Sequence, residues 1–244
     1  MVINFFYPAA YFLIYSLIGW ILESSYVSLY RKRPTNRGLL LLPFCPTYGI
    51  AAIIIIAVRQ VTGVSWILLL ASIIVTSGTE YLVSLTLDST FGFKFWSYKG
   101  TYLNIGGRIC IYSSLVWLFL SILLLDIIHP IFEILLMFVP DVFIIIVSVV
   151  LLIALAIDAI ITSKMINNLN RRLKLLAKIG SRIEHRREHI HEMLDTQLKE
   201  LNKRDAQLIK GLSRRQLRLI KSYPSMVSTR FSSEFARLRK ASIK

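Results

Sequence analysis

Residues 142–163 read VFIIIVSVVLLIALAIDAIITS. At 1.5 Å of rise per residue this stretch makes a helix of roughly 30 Å, the thickness of a bilayer's hydrocarbon core. Its apolar residues come as a block, without a period of two or 3.6. A helix of a soluble domain buries one stripe, whereas one apolar on all sides belongs in lipid or deep inside a large core. The chain has 244 residues, of which 55% are hydrophobic, with a mean hydropathy of +0.60. A chain of this size cannot enclose several such helices in a water-facing shell.

Four further runs have the same character. They predict spans at Pro8–Tyr30, Leu39–Val58, Val64–Leu87 and Ile109–Ile128, with Val142–Ser163 as the fifth. Ile131–Val139 is apolar but too short to cross before Pro140 and Asp141, and reads as an interfacial or re-entrant piece. The expected fold is all-α: a polytopic helical membrane protein with about five transmembrane helices and a helical cytoplasmic tail.

Charge divides the chain into two regions. Residues 1–163 hold 8 Lys+Arg and 7 Asp+Glu, and residues 164–244 hold 21 and 7, balances of +1 and +14. The expected domains are therefore a transmembrane region, 1–163, and a basic amphipathic tail, 164–244. Lys and Arg in the successive loops number 4, 1, 3 and 0, with 21 in the tail. By the positive-inside rule this alternation predicts a cell-membrane protein with its N-terminus outside and its C-terminus cytoplasmic. Cys45 and Cys110 then lie near the inner face as reduced thiols, and no cleavable signal peptide is apparent.

Inside the spans, carboxylates are costly, ~3 kcal/mol or more each, and usually face a bundle interior with a partner. Glu23 and Glu80 are such groups. Arg37, in Asn36-Arg37-Gly38, and Arg108, in Asn104-Ile105-Gly106-Gly107-Arg108, fall at similar depth. Two readings stand: structural ion pairs that fix helix packing, or a site for a charged ligand or lipid headgroup. The candidate substrate-binding set is Glu23, Arg37, Glu80, Arg108, Asn36, Asn104, Tyr48, Trp96 and Tyr98. The segments 8–60 and 64–128 resemble each other as parallel hairpins, each with a Gly before a Glu, then a polar loop that contains Asn, Gly and Arg, then a Cys.

Span 2 opens with Leu42-Pro43-Phe44-Cys45-Pro46-Thr47-Tyr48-Gly49. Two prolines there are either a helix N-terminus, where proline is welcome, or an unwound stretch lining a cavity. Between Asp88 and Arg108, Phe91, Phe93, Phe95, Trp96, Tyr98 and Tyr102 mix with Lys94 and Lys99. This pattern fits an interfacial aromatic belt, or a lid over an inner mouth.

The tail reads as helix over 164–222, with Leu194, Leu198, Leu201, Leu208 and Leu212 as a partial seam. It suits a protein partner, a second copy of the chain, or anionic lipid headgroups. No nucleic-acid motif is present. His185-Arg186-Arg187-Glu188-His189 fits H-x-x-E-H but sits in a basic helix with no third ligand evident, so no metal or other cofactor is expected. No phosphate-loop motif and no convincing catalytic triad occur, and an enzyme is not expected.

Several stretches together resemble one family. They are Gly19 to Glu23, Asn36-Arg37-Gly38, Pro43 to Gly49, Glu80-Tyr81, Trp96-Ser97-Tyr98 and Asn104 to Cys110, with Leu217 to Phe231 in the tail. The sequence is similar to the Putative ABC-transporter type IV family, also called CmpB-like. That resemblance implies a bacterial, permease-like transporter component. The alternative is a membrane-anchored scaffold or regulator whose basic tail binds a partner or anionic lipid.

Overall fold

The computed structural model describes residues 3–63, 66–187, 203, 207, 211–223 and 225–243. It is almost wholly helical: α1 (Ile3–Arg31), α2 (Pro46–Thr62), α3 (Trp66–Phe91), α4 (Ile111–Leu123), α5 (His129–Met137), α6 (Asp141–Arg187), α7 (Arg214–Ser222) and α8 (Ser232–Ile243). Two short strands, β1 (Phe93–Lys94) and β2 (Val227–Ser228), pair antiparallel. The chain forms two compact units. One comprises residues 1–86 and 97–160, the other residues 87–96 and 161–244.

Four described helices are long and apolar enough to cross a membrane: Tyr7–Arg31, Trp66–Phe91, Ile111–Met137 and Asp141–Ser181. The shorter apolar helix α2 has 17 residues. Large apolar side chains stand exposed along the first unit, including Ile67, Leu70 and Ile74 on α3 and Ile146, Val150, Ile153 and Ile157 on α6. Their spacing of three and four residues marks whole helix faces, and acyl chains are the solvent that suits them. The inner face of α3 is small and polar, with Ser72, Thr76, Thr79, Glu80 and Ser84 buried. Ser72, Thr76 and Thr79 each donate to the carbonyl four residues back, at 2.7–2.8 Å, which satisfies hydroxyls that lipid cannot.

The structure corrects the start of the second span. Its helix opens at Pro46 rather than Leu39, with Cys45 as its N-cap. Proline has no amide hydrogen, so its place is the first turn, where no intrahelical acceptor is needed. The preceding stretch is non-helical yet packed, with Leu40 and Phe44 buried beside Leu13 and Leu155. Its amides find other acceptors: Leu42 donates to Asp158 Oδ2 at 2.8 Å and Cys45 to the Ser16 carbonyl at 2.9 Å.

Ile131–Val139 is likewise not a separate interfacial piece. Through Met137 it continues the fourth span, because a π-helical turn, Leu124–Ile128, joins α4 to α5. The His129 amide reaches back to the Leu124 carbonyl, and Pro130 falls at the first positions of α5. The wider turn accommodates the missing proline donor without breaking the rod. The helix of the fifth predicted span, α6, extends past Ser163 as far as Arg187.

The second unit has its own core. Phe93 and Phe95, expected at a headgroup belt or lid, are instead buried there. Phe93 meets Phe235 at 5.3 Å between ring centroids, and Phe95 meets Tyr223 at 5.4 Å. Pairing of Phe93 with Ser228 and Lys94 with Val227 holds these rings inward. Leu169 and Leu173 of α6, Leu219 and Ile220 of α7, and Met226 complete the core. Of the tail seam, Leu212 is buried. Leu194, Leu198, Leu201 and Leu208, and the Glu188-His189 half of the H-x-x-E-H stretch, lie outside the described residues.

Candidate functional site

The site begins where α1 and α2 cross. Gly19 lies against Tyr48, and Gly49 against Ser16 and the Phe12 carbonyl, so closely that a methyl group at either glycine would overlap its neighbour. Small residues let membrane helices approach in this way. The approach carries the Tyr48 hydroxyl to Glu23, where it donates to Oε1 at 3.0 Å. The other Glu23 oxygen faces Arg37 Nε at 3.3 Å, and both side chains are about one-third exposed.

Glu80, one turn past Thr76 on α3, is buried. Tyr98 donates its hydroxyl to Oε1 at 2.9 Å, and Trp117 of α4 donates its indole N–H to Oε2 at 3.1 Å. Both donors are neutral, so Glu80 is held by hydrogen bonds where Glu23 has an adjacent guanidinium. Burial first, then the Glu80 and Glu23 carboxylates, push the Tyr98 phenol well above its ordinary pKa, which keeps Tyr98 a donor.

Glu23 and Glu80 are joined through their partners. The rings of Tyr48 and Trp117 meet at 4.6 Å between centroids. The same two rings wall a narrow cavity of about 50 Å³ that continues between α1 and α4, past Ala51, Ala52 and Thr76 to Tyr15 and Ile128. The cavity is lined mainly by apolar side chains and has room for a few waters or one short apolar group.

The sequence-predicted residues take different places. Glu23, Arg37, Tyr48, Glu80 and Tyr98 form the carboxylate layer. Arg108 donates to the Ser84 carbonyl and hydroxyl, both at 3.3 Å, and lies over the Tyr81 ring, 5.9 Å from its centroid. Ser84 lies one turn beyond Glu80 on α3. Asn36 accepts from Trp20 Nε1 and the Gly38 amide, both at 2.9 Å. Asn104 accepts from the Gly107 amide at 3.2 Å and donates to the Thr101 carbonyl at 2.8 Å. Both asparagines thus shape the turns that present Arg37 and Arg108. Trp96 falls in the second unit.

Three groups escaped the sequence reading. Asp158 is a buried carboxylate in the middle of an apolar helix, and that position alone was a signal. Trp117 carried none, since an indole in an apolar run reads as lipid-facing. The third is His129, buried behind the cavity-lining Tyr15, with Nδ1 2.7 Å from the Tyr15 hydroxyl and Nε2 3.8 Å from Glu133. Beside it, Arg59 binds the Leu125 carbonyl and Asp126.

A family model described as Putative ABC-transporter type IV matches residues 10–163. The chain belongs to this family. The matched region takes in most of α1, all of α2 to α5 and the apolar part of α6, and so both carboxylates and the cavity. With its apolar helices, membership of the Putative ABC-transporter type IV family makes this chain a multi-pass membrane protein. No curated protein and no solved structure matches.

Proposed function

We propose that the chain is a permease-like component whose carboxylate layer admits a small cation-bearing solute to the intramembrane cavity. One observation carries this reading: Tyr48 and Trp117 hold Glu23 and Glu80 through their polar edges while their rings wall the cavity. Carboxylates behind two aromatic rings favour a cationic group, by charge and by the negative potential of the ring faces. Family membership supports transport as the class of activity and does not name a solute.

In this reading the chain is a transport component rather than an enzyme. The loop charges orient it with the N-terminus outside, the tail in the cytoplasm and the carboxylate layer toward the inner face, with α2 crossing as the second of five spans. The duplicated-hairpin idea gains support from the caps, since Cys45 and Cys110 each stand at the N-cap of the helix that follows its loop.

The test uses the full chain in liposomes with radiolabelled methylammonium as the probe. Uptake should exceed that of protein-free liposomes, and should fall to that background in Glu80→Gln while Glu133→Gln retains it. Uptake no faster than in protein-free liposomes, or unchanged in Glu80→Gln, sinks the proposal.

A further inference from the structure

The second unit contains a groove of about 540 Å³ between α6 and the start of α7. Lys164, Asn168, Arg171 and Arg172 line it from α6, and Arg215 and Gln216 from α7. Among the described residues that line it there is no Asp or Glu. Positions 161, 164, 165, 168, 171 and 172 follow the three-four spacing of one helix face, so α6 presents its cations as a row. The neighbouring face, with Ile166, Leu169 and Leu173, is the one buried in the core.

Two devices hold the groove in shape. The Ser213 hydroxyl and Gln216 form a reciprocal cap at the start of α7, and Gln216 Nε2 also donates to the Met165 carbonyl at 3.3 Å, tying α7 to α6. Gly211 leaves room for Arg172, since a methyl group there would lie 2.6 Å from the guanidinium Nη1. The basic residues themselves are exposed or half-buried.

Position along α6 indicates the ligand. The apolar run ends at Ile161, and Lys164 follows one turn later. From there to Arg172 the helix advances about 12 Å. A row of cations that starts within a turn of the hydrocarbon boundary and extends outward lies at the level of lipid phosphates.

We infer that this groove binds the phosphate of an anionic lipid headgroup. The site is separate from the carboxylate layer, so its failure leaves the transport reading untouched.

The test is native mass spectrometry of the full chain in detergent, with phosphatidylglycerol or phosphatidylcholine added. Wild type should retain phosphatidylglycerol preferentially. Arg172→Gln/Arg215→Gln should bind it about 30-fold more weakly, at the usual contribution of each surface cation. Lys174→Gln/Lys178→Gln, which removes the same charge outside the groove lining, should bind like wild type. Thermal melting of each variant checks that it is folded. Equal retention of the two lipids, or equal losses in the two double variants, overturns the proposal. Displacement of phosphatidylglycerol by millimolar inorganic phosphate would also overturn it, by showing a site for soluble phosphate.

Discussion

Gly19 and Gly78 occupy similar places in sequence, each shortly before an intramembrane glutamate, yet they should respond oppositely to the same substitution. In Gly19→Ala the new methyl carbon would stand 2.3 Å from Tyr48 Cγ and 2.5 Å from its Cβ. Carbon atoms settle at about 3.5–4.0 Å, so the root of the tyrosine must retreat by about 1 Å or more. A change of rotamer does not relieve this, because Cβ moves with the backbone. That backbone is anchored in the first turn of α2, where the Tyr48 amide donates to the Cys45 carbonyl at 3.0 Å. Overpacking of this kind costs about 1–3 kcal/mol, and loss of the Tyr48 bond to Glu23 about as much again, for about 2–6 kcal/mol together. In a chain of this length each kcal/mol lowers the midpoint by about 2–4 °C. Around Gly78, by contrast, an added methyl meets nothing within 4 Å. Gly78→Ala should hold or raise the midpoint, since alanine favours a helix interior by about 1 kcal/mol. Thermal melting of the full chain in detergent, followed by tryptophan fluorescence, separates the two. A Gly19→Ala protein that melts with its parent would refute the packing argument at the α1–α2 crossing.

Two further outcomes follow from the buried groups. Asp158→Ala removes the acceptor for the Leu42 amide and should cost about 1–3 kcal/mol; Cys45, at the end of the same stretch, should then react faster with a maleimide, and Asp158→Asn, which keeps an acceptor oxygen, should stay near wild type. In the second unit, Phe235→Ala empties the space beside Phe93 and should cost about 3–5 kcal/mol; trypsin should cut the tail of this variant sooner than that of wild type, and equal rates would contradict the core described for it.

The long helices were legible because their evidence is local. α1, α3 and α6 are each apolar on most sides for twenty residues or more, and no distant contact is needed to see it. The start of α2 was not legible in the same way. Pro43 and Pro46 signalled a break, but the acceptors that make an unwound stretch tolerable are Ser16 and Asp158, far away along the chain. Glu23, Arg37, Glu80 and Arg108 stand out in the sequence as a charged set without any sign of which pairs with which, and an indole N–H such as that of Trp117, which donates to Glu80, does not stand out at all. Phe93 and Phe95 look like interfacial aromatics next to their lysine, and only the pairing of β1 with β2 across more than a hundred residues turns them inward.

The π turn at Leu124–Ile128 holds one residue more than a regular turn would. Deleting one of these five residues would let the ladder close as ordinary helix with the residues after it at nearly the same phase, because the surplus residue is taken up by the wider turn. His129 would keep its side toward Tyr15, whereas a one-residue deletion in the regular helix on either side would rotate everything after it by about 100° and carry His129 away. The segment thus acts as slack in the middle of its rod. In comparisons between homologues, a gap of one position falls more naturally here than elsewhere in the same span.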